Sequence, residues 1–370
     1  MRVLNIIWAF STGGIGKLFL TYNSLDKYDS DLNITSICID LQNCDYDRKP
    51  LEDNGIIILP IKNRFDFSWI KQICKIADSI KPDVVFCHGF NGPVVIKISS
   101  LFSKSLRIPL VCTYHGLYNP PINIRKPLAK LINKTQAWLY KKYAHKVVLV
   151  SKYSGQYLTD NGVPKTKMEV IYNGLKPIET DISPIKLDRN GISIGMTGRL
   201  DSIKGINYLL EAIKLVSRQV KQEFHVYIVG DGPEMKNLQM LANLLDIEDY
   251  VSFMGYQSNV SAWLKSWDIF CLPSLQENHS IALLEAMRAG NAIICTNVGG
   301  NPETVDNGKE ALLVDAADPE AIASNLVKLI ESPSIRNNLG CNAKYRFYKE
   351  FTEDIMKERL CKLLKSVAQS

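Results

Sequence analysis

The chain has 370 residues, 46% of them apolar, and a mean hydropathy of −0.05. That is enough for two domains with ordinary cores, and no apolar run approaches the ~18–20 residues that span a bilayer. The formal charge of +6 is unevenly spread: residues 1–177 hold 24 Lys/Arg against 13 Asp/Glu, and residues 178–370 hold 20 against 25, so only the first half is built to meet something anionic.

Apolar runs near 2–9, 34–40, 56–60, 83–88, 109–115 and 146–151 alternate with helical patterns, which predicts a parallel sheet flanked by helices. The first run reads as a strand rather than a targeting segment, because the Gly-rich turn Phe10-Ser-Thr-Gly13-Gly14-Ile-Gly16-Lys17 follows it. Glycines there permit close backbone approach to a phosphate, although the spacing is neither G-x-G-x-x-G nor that of a P-loop, and a plain turn is the alternative. His88 and His115 each end an apolar run, where a side chain can face a ligand; a satisfied core histidine is the alternative for both. His145 and His225 read as structural. Asp29-Ser-Asp31 and Asp45-Tyr-Asp47 fit a D-x-D pattern but lie in polar loops, so they read as solvated acids and no metal is expected. The nine cysteines form no C-x-x-C pair, and Cys87, Cys112, Cys271 and Cys295 lie in apolar runs; reduced thiols in a cytoplasmic protein are expected.

No acidic residue lies between Asp83 and Asp160, while eleven basic ones do. Within that stretch, residues 125–146 interleave Arg125, Lys126, Lys130, Lys134, Lys141 and Lys142 with Leu131, Ile132, Trp138, Leu139 and Tyr140. A basic amphipathic helix of this kind suits an anionic membrane surface; a packed, solvated surface helix is the alternative. Nucleic acid is the rival anion, but no reader motif accompanies the charge.

The polar, proline-containing stretch 176–184 reads as a linker between domains at 1–177 and 178–350. Strands are predicted near 192–198, 224–230, 250–254, 268–273, 292–297 and 311–315. After the first of these, Gly198-Arg199 and Lys204-Gly205 place two cations at a strand-to-helix turn, where preorganised positive charge stabilises a departing diphosphate. Val229-Gly-Asp-Gly-Pro233, Phe253-Met-Gly-Tyr256 and Asn297-Val-Gly-Gly-Asn-Pro-Glu303 are further strand-end turns. In Pro273–Gly290, Glu277 precedes an Ala/Leu-rich helix and Glu285 lies within its early turns, a separation of roughly 7–8 Å along the axis. The N–H groups of residues 279–282 then face outward at a helix start, a favourable place for an anion. The segment from Phe351 onward is an amphipathic helix.

Glu277 and Glu285 in this setting resemble the E-x7-E signature of the retaining glycosyltransferases of family 4, the group 1 transferases with the GT-B fold. The Gly198–Gly205 segment, the Gly13-Gly14 pair and the Thr113-Tyr-His115-Gly116 turn match further parts of that pattern. The resemblance implies an α/β chain of two Rossmann-like parallel-sheet domains facing a central cleft, with the helix 351–370 packing back on the first domain. It implies a metal-independent hexosyltransferase with catalytic His115, Glu277, Arg199 and Lys204. Donor contacts would come from Gly14, Arg199, Lys204, Tyr256, Glu277, Asn278, His279, Ser280, Ile281 and Glu285, and acceptor contacts from Gly16, His88 and His115. Glu277 would orient the sugar hydroxyls and Glu285 hold the ribose; Asn278 stands where the family often has glycine, which leaves the donor sugar open. A UDP-sugar donor, a lipid-linked saccharide acceptor in surface-polysaccharide assembly, and peripheral attachment at the inner face of the cytoplasmic membrane complete the expectation. A sugar-nucleotide epimerase or hydrolase on the same fold, or a non-catalytic membrane-bound scaffold, are the alternatives.

Overall fold

The computed structural model describes residues 1–10, 14–42, 47–63, 65–89, 91–116, 126–178 and 182–369, with 126 and 127 described by backbone alone. The chain divides into two compact units, Met1–Asn173 with Glu353–Ser370, and Gly174–Thr352.

The first unit is built on β1 (Arg2–Trp8), β2 (Asn33–Leu41), β3 (Ile57–Ile61), β4 (Val84–His88), β5 (Leu110–Tyr114), β6 (Lys146–Leu149) and β7 (Met168–Val170). All pair in parallel, in the order β3-β2-β1-β4-β5-β6-β7. The central strands are mostly apolar because helices cover both faces; β4 and β5 have no exposed residue. Six strands are predicted here and seven are found: β7 is a three-residue edge, too short and too polar to show alternation. Cys87 and Cys112, in register on β4 and β5, place their sulfurs 3.4 Å apart as buried thiols.

The C-terminal helix Glu353–Ala368 belongs to this unit and buries Leu360, Cys361 and Leu364. Lys365 clamps it to the loop before β2, with Nζ 2.8 Å from carboxylate oxygens of both Asp29 and Asp31. One of the two D-x-D pairs is thereby engaged by a lysine; of the other, Asp45 lies outside the described residues and Asp47 accepts from the Lys49 amide at 2.9 Å.

The second unit carries β8 (Ile192–Thr197), β9 (Phe224–Val229), β10 (Val251–Gly255), β11 (Ile269–Leu272), β12 (Ala292–Thr296) and β13 (Ala311–Val314), in the order β10-β9-β8-β11-β12-β13, again all parallel. Ile194, Met196, Val226, Ile228, Cys271 and Ile294 from its strands face helices carrying Leu209, Ile213, Leu326 and Leu329 in one core. In both units the strand order reverses once, between β1 and β4 and between β8 and β11; such switch points open crevices at the carboxyl ends of the strands.

The segment expected to link two domains is bound to the second. Arg288 donates to Lys176 O at 2.7 Å, Lys265 to Ile182 O at 2.8 Å and Ser266 Oγ to Ile185 O at 3.0 Å. The helix expected from Phe351 begins two residues later, since Phe351 is buried in the second unit with its ring 5.6 Å from that of His279.

Candidate functional site

Three strand-end loops of the second unit meet at the β8/β11 switch point. The first, after β8, passes through a short 3-10 turn, Ser202–Lys204, before the helix Ile206–Ser217. The second follows β11 and carries Ser274 and Glu277; the third follows β12 and carries Gly299. Leu275 N donates to Ile203 O at 2.8 Å, tying the first two loops by backbone. Gly205, at φ +61°, lies so near Pro273 that a Cβ would sit 2.2 Å from its carbonyl oxygen. Gly299, at φ +56°, approaches the Glu277 carbonyl so that a Cβ would sit 1.7 Å away. Only glycine meets both requirements at these positions, the left-handed backbone and the close approach.

This packing fixes a charged pair. Lys204 Nζ donates to Glu277 Oε1 at 2.6 Å, and Ser274 Oγ donates to the same oxygen at 2.8 Å. The side chains are 19% and 9% exposed, so the ammonium is held in a defined place yet reachable from solvent. The site chemistry follows from that placement: a fixed, partly desolvated cation is worth more to developing negative charge than a mobile surface lysine.

Just beyond, Asn278, His279 and Ser280 lead into the helix Ile281–Ala289. Ser280 caps it, its Oγ accepting from Leu283 N at 3.3 Å, which leaves the amides of Ile281 and Ala282 as first-turn donors. Glu285 is partly exposed in the second turn, next to Arg288, which lies one turn further on. His279 is 5% exposed, and burial pushes its imidazole down to about 3, so it enters as a neutral ring supporting the loop. Arg199 follows β8, but its side chain is 74% exposed and its carboxylate neighbour Asp201 is 3.9 Å away; it stands outside the Lys204–Glu277 cluster. Tyr256 follows the edge strand β10 and is exposed.

In the first unit, Gly14 and Gly16 open the helix Gly14–Asn23, Gly16 buried and Gly14 partly so; Gly13 lies outside the described residues. His115 directly follows β5, and burial pushes its imidazole down to about 4; its Nε2 has no hydrogen-bond partner among the described residues. His88 needs correction as an acceptor-side residue. It is 2% exposed, its Nε2 meets Asn5 Oδ1 at 2.7 Å and its Nδ1 meets Thr113 Oγ1 at 2.8 Å, while Tyr22 stacks on the ring at 5.0 Å. With Asn5 Nδ2 donating to Ser36 Oγ at 2.8 Å, it belongs to a buried polar chain crossing four strands. The acceptor role of the Asn5 oxygen assigns the proton to Nε2, leaving Nδ1 to accept from Thr113.

The basic helix runs Lys126–Tyr143. Leu139 and Tyr140, grouped above with its apolar face, are core residues: Tyr140 donates to Thr113 O at 3.2 Å and is fully buried. The outward side carries Lys130, Lys134, Lys141 and Lys142 with Leu128, Leu131 and Trp138, and Lys142 Nζ lies 4.9 Å from the Trp138 ring centroid. Arg125 lies outside the described residues, as does the Lys126 side chain.

The depressed histidines make stability pH-dependent. An unfolded imidazole takes up its proton near pH 6.5, whereas His115 and His279 in the fold resist protonation until about 4 and about 3. The unfolded chain therefore binds more protons between pH 6.5 and 4, and stability falls as pH drops through that window. Urea midpoints are expected to be unchanged between pH 8 and 7 and to fall steadily from pH 6.5 to 4.5.

Residues 177–346 match the family model described as glycosyl transferases group 1, and residues 45–177 match that described as glycosyltransferase family 4. N-acetyl-alpha-D-glucosaminyl L-malate synthase of Bacillus anthracis is 32% identical over 152 residues, a match spanning 41% of this chain and 39% of that one. WcaL of Escherichia coli K12, a glycosyltransferase provisionally assigned to colanic acid biosynthesis, is 26% identical over 80% of this chain and 74% of its own. Among solved structures, Anabaena HepE in complex with UDP and glucose superposes with a TM-score of 0.81 at 19% identity, covering 99% of this chain and 100% of that one. This last likeness establishes the GT-B fold.

Proposed function

Because the chain belongs to the group 1 glycosyltransferases of family 4, we propose that it moves a hexose or N-acetylhexosamine from a UDP-sugar to a lipid-linked saccharide, with retention of configuration. The observation that carries this is the Lys204–Glu277 pair, fixed at a switch point beside a capped helix start. Lys204 and the Ile281 and Ala282 amides receive the diphosphate, with Arg199 as a second cation; Glu277 orients the sugar hydroxyls and Glu285 the ribose. Asn278, His279 and Ser280 shape the loop, and Tyr256 lies at the base. HepE, a fold relative, was solved with UDP and glucose, which favours uridine as the base.

The anomeric carbon–oxygen bond breaks with its electrons passing to the diphosphate. The acceptor oxygen bonds to the same face of that carbon, and its proton passes to the departing phosphate oxygen. Gly14, Gly16 and His115 are the first unit's candidates in this reading, His115 as a neutral imidazole. No divalent metal is required in this scheme, so transfer persists in EDTA.

The acid-free basic face supports a lipid-borne acceptor taken at an anionic membrane surface, as expected for a peripheral enzyme on the cytoplasmic side. WcaL's assignment favours a polysaccharide pathway. Each lysine near an anionic bilayer contributes about 1 kcal/mol, so Lys134→Glu/Lys141→Glu/Lys142→Glu, which removes three such contributions and adds repulsion, is expected to weaken partition to phosphatidylglycerol vesicles by at least about a hundredfold. Unchanged flotation removes the membrane reading. The transfer itself is tested by offering nucleotide sugars with and without a polyprenyl-pyrophosphate glycan. Acceptor-dependent UDP release with a glycosylated product supports it; equal release without acceptor indicates a hydrolase or epimerase.

A further inference from the structure

Beneath the Lys204–Glu277 pair lie three fully buried polar residues, Ser274, Thr296 and Asn301. Thr296 is the last residue of β12 and pairs in register with Val314 of β13. Its Oγ1 donates to Ser274 O at 2.6 Å, across 22 residues of chain. Ser274 in turn donates through Oγ to Glu277 Oε1 at 2.8 Å. Asn301 opens the short helix Asn301–Thr304 and donates through Nδ2 to Thr296 O at 3.0 Å, tying the strand end to the loop that follows it. From that loop, Gly300 N donates to Glu277 O at 3.3 Å. The end of β12 therefore grips Glu277 twice: its carbonyl through Gly300, and its carboxylate through Thr296 and Ser274.

Packing alone does not call for a hydroxyl at 296. The position ends a buried strand whose other residues are Ala292, Ile293, Ile294 and Cys295, and valine has the same branched shape with no polar atom to satisfy. A buried hydroxyl is tolerated where it is hydrogen-bonded, and a satisfied chain of such bonds holds its members in one arrangement. That arrangement has a consequence for the carboxylate. Lys204 Nζ and Ser274 Oγ both donate to Oε1, at 2.6 and 2.8 Å. With one oxygen held by two donors, the carboxylate cannot turn without breaking both bonds, so Oε2 is the oxygen presented to a ligand hydroxyl.

We propose that Thr296 and Ser274 are positioning residues for sugar transfer, acting through Glu277 and touching no substrate themselves. This rests on the transferase reading. The Thr296 hydroxyl fixes the Ser274 backbone, the Ser274 hydroxyl fixes Oε1, and Oε2 is thereby aimed at the donor sugar. The test compares Thr296→Val, which keeps the shape, Thr296→Ser, which keeps the hydroxyl, and Ser274→Ala. Each hydroxyl-free variant is also made in a Glu277→Ala background, and Thr296→Ala replaces Thr296→Val should the latter not fold. Transfer kinetics are measured with a nucleotide sugar and a polyprenyl-pyrophosphate glycan, and UDP affinity by calorimetry. Because a misplacement of about 1 Å can slow a reaction about 10²-fold, Thr296→Val and Ser274→Ala are expected to lower kcat about tenfold. The Kd for UDP should change less than about threefold, and Thr296→Ser should stay within about twofold of wild-type kcat. Where Glu277 is already alanine, losing either hydroxyl should cost less than about twofold, since no carboxylate remains to be aimed. Wild-type kcat in Thr296→Val, equal damage in Thr296→Ser, or the full loss repeated in the Glu277→Ala background overturns the proposal and leaves the transferase reading standing. If wild type consumes no nucleotide sugar, that reading fails and crystal structures of the variants decide the relay. Ser274 Oγ parted from Glu277 Oε1 in Thr296→Val but not in Thr296→Ser upholds it; the contact kept in both overturns it.

Discussion

Lys204→Ala is expected to lower kcat for sugar transfer about 10²–10³-fold while moving the thermal midpoint little. The ammonium is held 2.6 Å from Glu277 by loops locked through Gly205 and Gly299, so it needs no reorganisation when the diphosphate leaves. Removing one such preorganised group typically costs about 2.7–4 kcal/mol of transition-state stabilisation. Its stability effect is smaller because the Lys204 side chain is 19% exposed and Ser274 still donates to the carboxylate left behind. A loss confined to KM would mean that Lys204 serves ground-state binding alone.

The second large effect is at Glu277. Glu277→Gln keeps the shape but removes the charge that positions Lys204 and, in the proposed reading, the acceptor for a sugar hydroxyl, so kcat is expected to fall about 10³-fold, within the range of about 3–5 kcal/mol for breaking a buried charged pair. Because each residue acts through the other, the double variant Lys204→Ala/Glu277→Gln should be no worse than the more damaged single variant by more than a few-fold. Multiplicative losses would show that the two act independently and would contradict the pairing.

Much of this site was legible from residue type and position. Parallel strands covered on both faces appear as unbroken apolar runs, so β4, β5, β8 and β11 announce themselves, and the turns after them carry the glycines and charges. The remainder depends on neighbours that no local pattern names. His88 and His115 look alike in sequence, each closing an apolar run before glycine; only His88 has Asn5 and Thr113 within reach of its two ring nitrogens. Gly205 and Gly299 gain their roles from approaching Pro273 and Glu277, in a loop distant from both in the chain, which they meet only at the switch point. Leu139 and Tyr140 fit an exposed amphipathic face by composition, and the sheet beneath them buries both.

The placement of the donor diphosphate is tested most directly by hydrogen–deuterium exchange with and without UDP. Slowed exchange is expected in 198–205 and 277–284, above all at Ile281 and Ala282, with Lys204→Ala abolishing the effect at equal UDP concentration. Protection confined to the first unit, or retained in full by the Lys204→Ala protein, would contradict the assignment of this site to the nucleotide sugar.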